Sequence, residues 1–299
     1  MSNVICEALG IRYPIILGGL ARVGTASLAA AVSNAGGLGL LGAGSWNGVE
    51  LRDQIRRARE LTGQPFGVNV PVRSDYAEEL IETVIAEGIK AVATSAGNPR
   101  RFTSRLQEHN IFVMHVVPTS SYAVVAEEAG VNAVVAEGVE SGGMTSLEEI
   151  STFVLVPQVV DAVKCPVIAA GGIGDGRGLA AALALGAVGV QMGTAFMATE
   201  ECEISRAFKE MMVRAVETDT RLFRRDRSSR RTFKEDFFQA ALKDWPNLLS
   251  DLKRDPDASF RGAGQVAGLV SEIQPVKEII ERMIREAREI LPGISEKLS

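Results

Sequence analysis

Short aliphatic runs alternate with longer amphipathic stretches from the amino terminus to about residue 215. The runs at 14–17, 37–41, 66–70, 91–94, 112–116, 133–136, 167–170 and 189–192 are mostly rich in Val, Ile, Leu or Ala, and none alternates cleanly with polar residues. Strands with one wet face alternate, whereas strands buried on both faces do not, so these runs predict a parallel sheet covered by helices. The stretches between them have helical periodicity. Leu51, Ile55, Ala58 and Leu61 share one apolar face, and Leu80, Ile81, Val84 and Ile85 share another. Thr25 and Asp175 stand where helices need an N-cap, and Gly36, Gly88 and Gly186 stand where helices stop.

One unit recurs along the chain. EGIKAVAT at 87–94, AGVNAVVA at 129–136 and LGAVGVQM at 185–192 each join a helix-stop glycine, a short turn and a buried strand. Eight strand-then-helix units in a row predict an α/β fold, a closed (β/α)8 TIM barrel with additional C-terminal helices. The pattern changes near residue 214, where Arg214, Arg221, Arg224, Arg225, Arg227, Arg230 and Arg231 form a basic stretch. Amphipathic helices are expected over 233–242 and 275–290, with the sequence RGAGQVAG at 261–268 between them. Residues 1–215 should therefore form the barrel core. Residues 216–299 should form a helical C-terminal extension packed on it in the same domain.

Composition agrees with this reading and removes several functions. Aromatic residues make up only 5% of the 299, so the core must be aliphatic. A net charge of −5 gives no global footprint for nucleic acid or a membrane surface. Cys6, Cys165 and Cys202 are odd in number and scattered, which suits neither a disulfide framework nor a metal site. The first residues lack a signal-peptide pattern, and no apolar run approaches the ~20 residues that span a bilayer. A cytoplasmic protein is expected.

In this fold the ligand site lies at the C-terminal ends of the strands, and a phosphate often sits on the loops after strands seven and eight. Those loops read AAGGIGDG from Ala169 and QMGTAF from Gln191. Glycines there let the backbone approach an anion. The first strand runs into LGGLA at 17–21, which exposes main chain to a flat ring. Asn69 on the third strand offers a donor and an acceptor to a heterocycle edge. It could equally staple a loop. Glu137 directly follows the sixth strand, where an unpaired carboxylate is costly unless it binds something.

Together LGGLA, GGLGLLG, PFGVNV, AEGVESGG, AAGGIGDGRG and QMGTAF resemble one FMN-dependent TIM-barrel family. It contains the nitronate monooxygenases (formerly 2-nitropropane dioxygenases) and the type II enoyl-acyl-carrier-protein reductases. The resemblance runs in order from residue 10 to about 200 and resumes at GAGQVAGLV, residues 262–270. It implies that Gly19, Leu20 and Ala21 pack against the flavin and that Asn69 bonds its ring. Glu137, Gly142 and Gly143 should line the same mouth. Gly171, Gly172, Gly193 and Thr194 should hold the phosphate, beside Ile173, Gln191 and Met192. Gln265 and Gly268 should close over the site.

One departure matters. The family normally carries Gly-Gly-His after the sixth strand, and this chain has Gly142-Gly143-Met144. Methionine neither gives nor takes a proton at neutral pH. His115, on the fifth strand, is the other candidate for proton transfer. Ser146-Leu147-Glu148-Glu149 has capping-box spacing and suggests a helix start.

Three readings stay open. The first is an NAD(P)H-dependent flavin reductase resembling type II enoyl reductases, with NADH or NADPH as reductant. The second is a nitronate monooxygenase, and the third is a flavin-binding protein impaired by the loss of the histidine. The expected partners are a small-molecule substrate, such as an acyl thioester on a carrier protein or CoA, and a second copy in a homodimer. No metal, nucleic acid or membrane is expected.

Overall fold

The computed structural model describes residues 3–225, 228–234, 236 and 262–296. In chain order the barrel elements are α1 (Val4–Leu9), β1 (Ile15–Leu17), α2 (Ala26–Asn34), β2 (Gly39–Gly42), α3 (Gly48–Leu61), β3 (Phe66–Pro71), α4 (Ala77–Ala86) and β4 (Ala91–Ser95). They continue with α5 (Thr103–Glu108), β5 (Phe112–Val117), α6 (Ser120–Glu128), β6 (Ala133–Glu137), β7 (Gly143–Thr145), α7 (Thr152–Ala162), β8 (Val167–Ala170), α8 (Gly176–Ala184), β9 (Gly189–Met192) and α9 (Thr194–Met197). Then follow α10 (Arg206–Arg214), β10 (Thr220–Arg225), β11 (Ser228–Phe233) and α11 (Val276–Glu296).

Eight strands pair in parallel in the order β1-β9-β8-β6-β5-β4-β3-β2. The ring closes between its two ends. Leu17 N–H donates to Leu38 O and Leu38 N–H donates to Ile15 O, each at 2.9 Å. The (β/α)8 barrel is therefore as the sequence predicts. Every residue of β1, β2, β8 and β9 is buried, which explains why polar residues do not alternate through those runs.

Local chemistry sets the helix ends. Asn47 and Glu50 form a reciprocal capping box at α3. Asp175 accepts from Arg177 and Gly178 N–H at the start of α8. Thr25 holds the N-cap position of α2, yet its side chain makes no capping bond, and Gln54 from α3 accepts the Ala26 N–H at 2.8 Å instead. Among the described residues no helix is long and apolar enough to cross a membrane.

Two expectations are corrected. Beyond Arg214, which ends α10, the described part of the basic stretch is not helical: β10 and β11 form an antiparallel hairpin, and β11 pairs with β7 to make a three-stranded sheet. Ser229, Arg231 and Phe233 are buried on one face of β11. A buried arginine in that series masks the period-two pattern that would have signalled a strand. Phe233 is thus the last residue of a strand, packed edge-on against Phe208 of α10, and residues 237–242 of the expected helix lie outside the described residues. Likewise Ser146 starts no helix. Residues 143–145 are strand, and the next helix begins at Thr152 after Ser151. The last helix is as expected, α11, and it packs on α8, where Glu286 accepts the Gly176 N–H at 2.8 Å.

Candidate active site

A cleft of about 1370 Å³ opens at the C-terminal ends of the strands. Its walls include Gly19, Leu20, Ala21, Asn69, Glu137, Gly142, Gly143, Met144, Gly171, Gly172, Ile173, Gln191, Met192, Gly193 and Thr194. The tertiary fold thus brings together residues spread over 175 positions of sequence in one wall (from 19 to 194).

The β1 side is made of main chain. Gly18 N–H donates to Met192 O at 2.7 Å, and Gly24 N–H donates to Leu20 O at 2.7 Å, so the LGGLA segment is a tight turn fixed to the end of β9. Gly19 lies directly against the Asn69 carboxamide. A β-carbon at position 19 would overlap Asn69 Cγ and both terminal atoms of that side chain. Asn69 itself is only 5% exposed.

The β8 and β9 side is a paired turn. Gly171 and Gly172 have φ of +89° and +72°, a conformation that side chains rarely adopt. Thr152 ties this turn to the previous loop: its hydroxyl lies 2.9 Å from Gly171 O and 3.0 Å from Glu140 Oε2, and Glu140 also accepts the Thr152 N–H. The Thr194 hydroxyl accepts the Gly264 N–H at 2.9 Å, and Glu140 O accepts the Gln265 N–H at 3.0 Å. The glycine-rich segment after residue 261 therefore docks on the cleft by backbone. Gly264 and Val266 reach the wall, whereas Gln265 and Gly268 are not among the lining residues. Gln191 lines the cleft, and its Oε1 is buried without a hydrogen-bond partner.

The titratable groups divide clearly. Burial pushes the Glu137 carboxyl up to about 7, and the neighbouring Ser141 hydroxyl only partly opposes this. Glu137 can therefore hold a proton at neutral pH. His115 is 1% exposed and does not line the cleft. Its Nδ1 lies 2.7 Å from the Thr94 hydroxyl, and burial holds the ring down at about 4, opposed in part by a backbone bond with Gly97. The strand periodicity that made His115 a candidate instead sends Val116, its neighbour, to the wall. Met144 lines the cleft and is 48% exposed. None of the cysteines lines it, and no His, Cys, Asp and Glu cluster suited to a metal occurs among the described residues.

Sequence reasoning missed the hairpin as a site element. Arg230 and Thr232 of β11 line the cleft, as do Arg73 after β3 and Tyr122 in α6. The basic stretch was the available signal, but its strand pairing depends on β7, which is not visible in the local pattern.

Comparisons with known proteins agree with this geometry. A family model described as nitronate monooxygenase matches residues 2–286. A "Probable nitronate monooxygenase" of Staphylococcus aureus (strain MSSA476) is 32% identical, covering 97% of this chain and 98% of that protein. Among solved structures, a mutant of FabK from Thermotoga maritima is 41% identical with a TM-score of 0.89, covering 99% of this chain and 100% of that chain. A nitroalkane oxidase from Streptomyces ansochromogenes is 30% identical with a TM-score of 0.82, covering 95% of this chain and 98% of that chain.

Proposed function

The chain is an oxidoreductase that belongs to the nitronate monooxygenase family, and from that premise we propose that it binds FMN in the cleft and uses NADH or NADPH to reduce the double bond of an acyl thioester. The observation that carries the cofactor assignment is the Gln191 carboxamide oxygen. It is a buried acceptor without a protein partner, beside the main-chain wall of the LGGLA turn. Buried acceptors are rarely left unpaired, so a ligand with an N–H edge suits this position. Asn69, held against Gly19, would bond the same kind of heterocycle. The turn at Gly171 and Gly172 and the Thr194 hydroxyl, which keeps its own proton to donate, fit a phosphate tail.

FMN, when bound, supplies hydride transfer between the nicotinamide and the substrate. The chain's own residues would position the ring and manage the proton. Glu137 holds a proton on its carboxyl at neutral pH and can release it to a carbon that has gained charge. Met144 cannot do so and makes that part of the wall apolar. The identity and TM-score are both higher with FabK than with nitroalkane oxidase, which supports a reductive over a nitronate-oxidising role.

The test is spectroscopic. Purified protein with bound flavin, mixed with NADH or NADPH without oxygen, should lose its absorption band at roughly 450 nm, a property of the cofactor. A band that persists with both nucleotides overturns the reductive reading. A second reading, oxidation of nitronates with oxygen, is supported by the family itself and by its Staphylococcus aureus member. Oxygen uptake with propionate 3-nitronate and none with NADH would select it.

A further inference from the structure

Met144 lies on β7. In the three-stranded sheet Met144 lies directly opposite Arg230 of β11. Residues directly opposed in an antiparallel pair project from the same face, with β-carbons roughly 4.5–5.5 Å apart. Both side chains line the cleft.

The surrounding charges leave Arg230 available. Arg224, on the other arm of the hairpin, pairs with Glu149 at 2.7 Å. Arg231 turns away and donates from Nε to Val139 O at 3.0 Å. Glu140, the acidic group of the nearby loop, is occupied by Thr152. The Arg230 guanidinium forms no ion pair or hydrogen bond with any described residue. It is a partly buried cation at the mouth of a cleft, with five N–H donors and no partner among the described residues.

We propose that Arg230 binds the carbonyl oxygen of the acyl thioester, so that the hydrogen-bonding contact sits across the sheet from the methionine-bearing position. This rests on the thioester-reducing function proposed above. When hydride from the reduced cofactor reaches the β-carbon, the C=C electron pair shifts toward the carbonyl and negative charge collects on that oxygen. A guanidinium at this place stabilises the charge without transferring a proton. The α-carbon then takes the proton from Glu137, which regains one from water. The hydride carries both electrons from NAD(P)H and forms the β C–H bond, and the proton from Glu137 forms the α C–H bond. Charge stabilisation thus stays at the hairpin and the proton is held at Glu137.

The experiment uses FMN-loaded full-length protein and crotonyl-N-acetylcysteamine, a thioester without phosphate. Its binding is read from the shift of the flavin spectrum, and crotonyl-CoA is titrated in parallel. Arg230→Met should weaken binding of the phosphate-free thioester by about ten-fold or more, the range for losing a hydrogen bond from a charged group. Arg230→Lys should recover part of it, and Arg221→Met, on the same hairpin, should not change it. Flavin content and unfolding midpoint confirm that each variant is folded and loaded. Unchanged affinity in folded, flavin-loaded Arg230→Met overturns the inference. So does a loss confined to crotonyl-CoA, since Arg230 would then read a phosphate. A wild-type protein whose flavin is not reduced by either nucleotide overturns the proposed function instead, a result that the binding titration does not depend on.

Discussion

The Thr194 hydroxyl accepts the backbone N–H of Gly264 at 2.9 Å, across 70 residues of sequence. This buried bond fastens the glycine-rich segment after residue 261 to the short helix at the end of the last barrel strand. It also fixes the orientation of the hydroxyl, leaving its proton free for an anion in the cleft.

Thr194→Val should therefore lower both stability and cofactor retention. It keeps the shape but strands the Gly264 N–H in a buried site, at a cost of about 1–3 kcal/mol. Thr194→Ser should restore most of the loss. Urea unfolding with and without FMN, together with the FMN dissociation constant, measures both effects. Equal FMN affinity in the valine and threonine proteins would remove Thr194 from the phosphate site.

Gly19→Ala should expel or displace the Asn69 side chain, because the new β-carbon falls on its carboxamide. Overpacking of this kind costs roughly 1–3 kcal/mol. The expected readout is a protein that folds with a lowered midpoint and loses bound flavin on gel filtration. Full flavin retention would show that Asn69 can move without consequence.

Glu137 makes stability depend on pH in a direction that is easily mistaken. Its carboxyl is near 7 in the folded protein against 4.5 for an ordinary glutamate. Between those values the folded state binds more protons than the unfolded chain, so this group's contribution falls as pH rises and levels off above about 7. The full effect is on the order of 3 kcal/mol. Relative to wild type, Glu137→Gln should be more stable at pH 8 and gain little at pH 4.5, as measured by urea midpoints. The same variant should slow the half of turnover in which the thioester is reduced and a proton is consumed, and leave anaerobic bleaching by the nicotinamide unchanged.

His115 works in the opposite sense. Its ring is held near 4, below the ordinary 6.5, so the folded state stays neutral while the unfolded chain takes up a proton as pH falls through that range. Its contribution is present above 6.5 and is lost toward 4, which partly cancels the Glu137 effect in the wild-type protein. In NMR the His115 ring signals should not move between roughly pH 8 and pH 5.5. Titration in that range would mean that the ring reaches solvent, and its place outside the cleft wall would need revision.

The barrel and most of its ligand wall were legible in the sequence because both depend on local signals. Two-sided burial removes polar alternation from strands, and glycine pairs mark turns where backbone approaches a ligand closely. Gly19, Asn69, Glu137, Gly171, Gly172, Gln191 and Thr194 all reach the cleft that those signals point to. Gln265 was expected there as well. It contributes only its N–H, to Glu140 O, while its neighbours Gly264 and Val266 form the wall.

What the linear order alone determined was the number of barrel strands, their burial and the end of the barrel where the cleft opens. These follow from periodicity and from turn residues within a few positions of each strand. The rest was decided by contacts between distant segments. Whether Arg231 is buried and whether Arg230 stands opposite Met144 depend on β7 and β11 meeting over the mouth. Desolvation and cross-strand pairing are properties of that meeting, and no single stretch of chain encodes them.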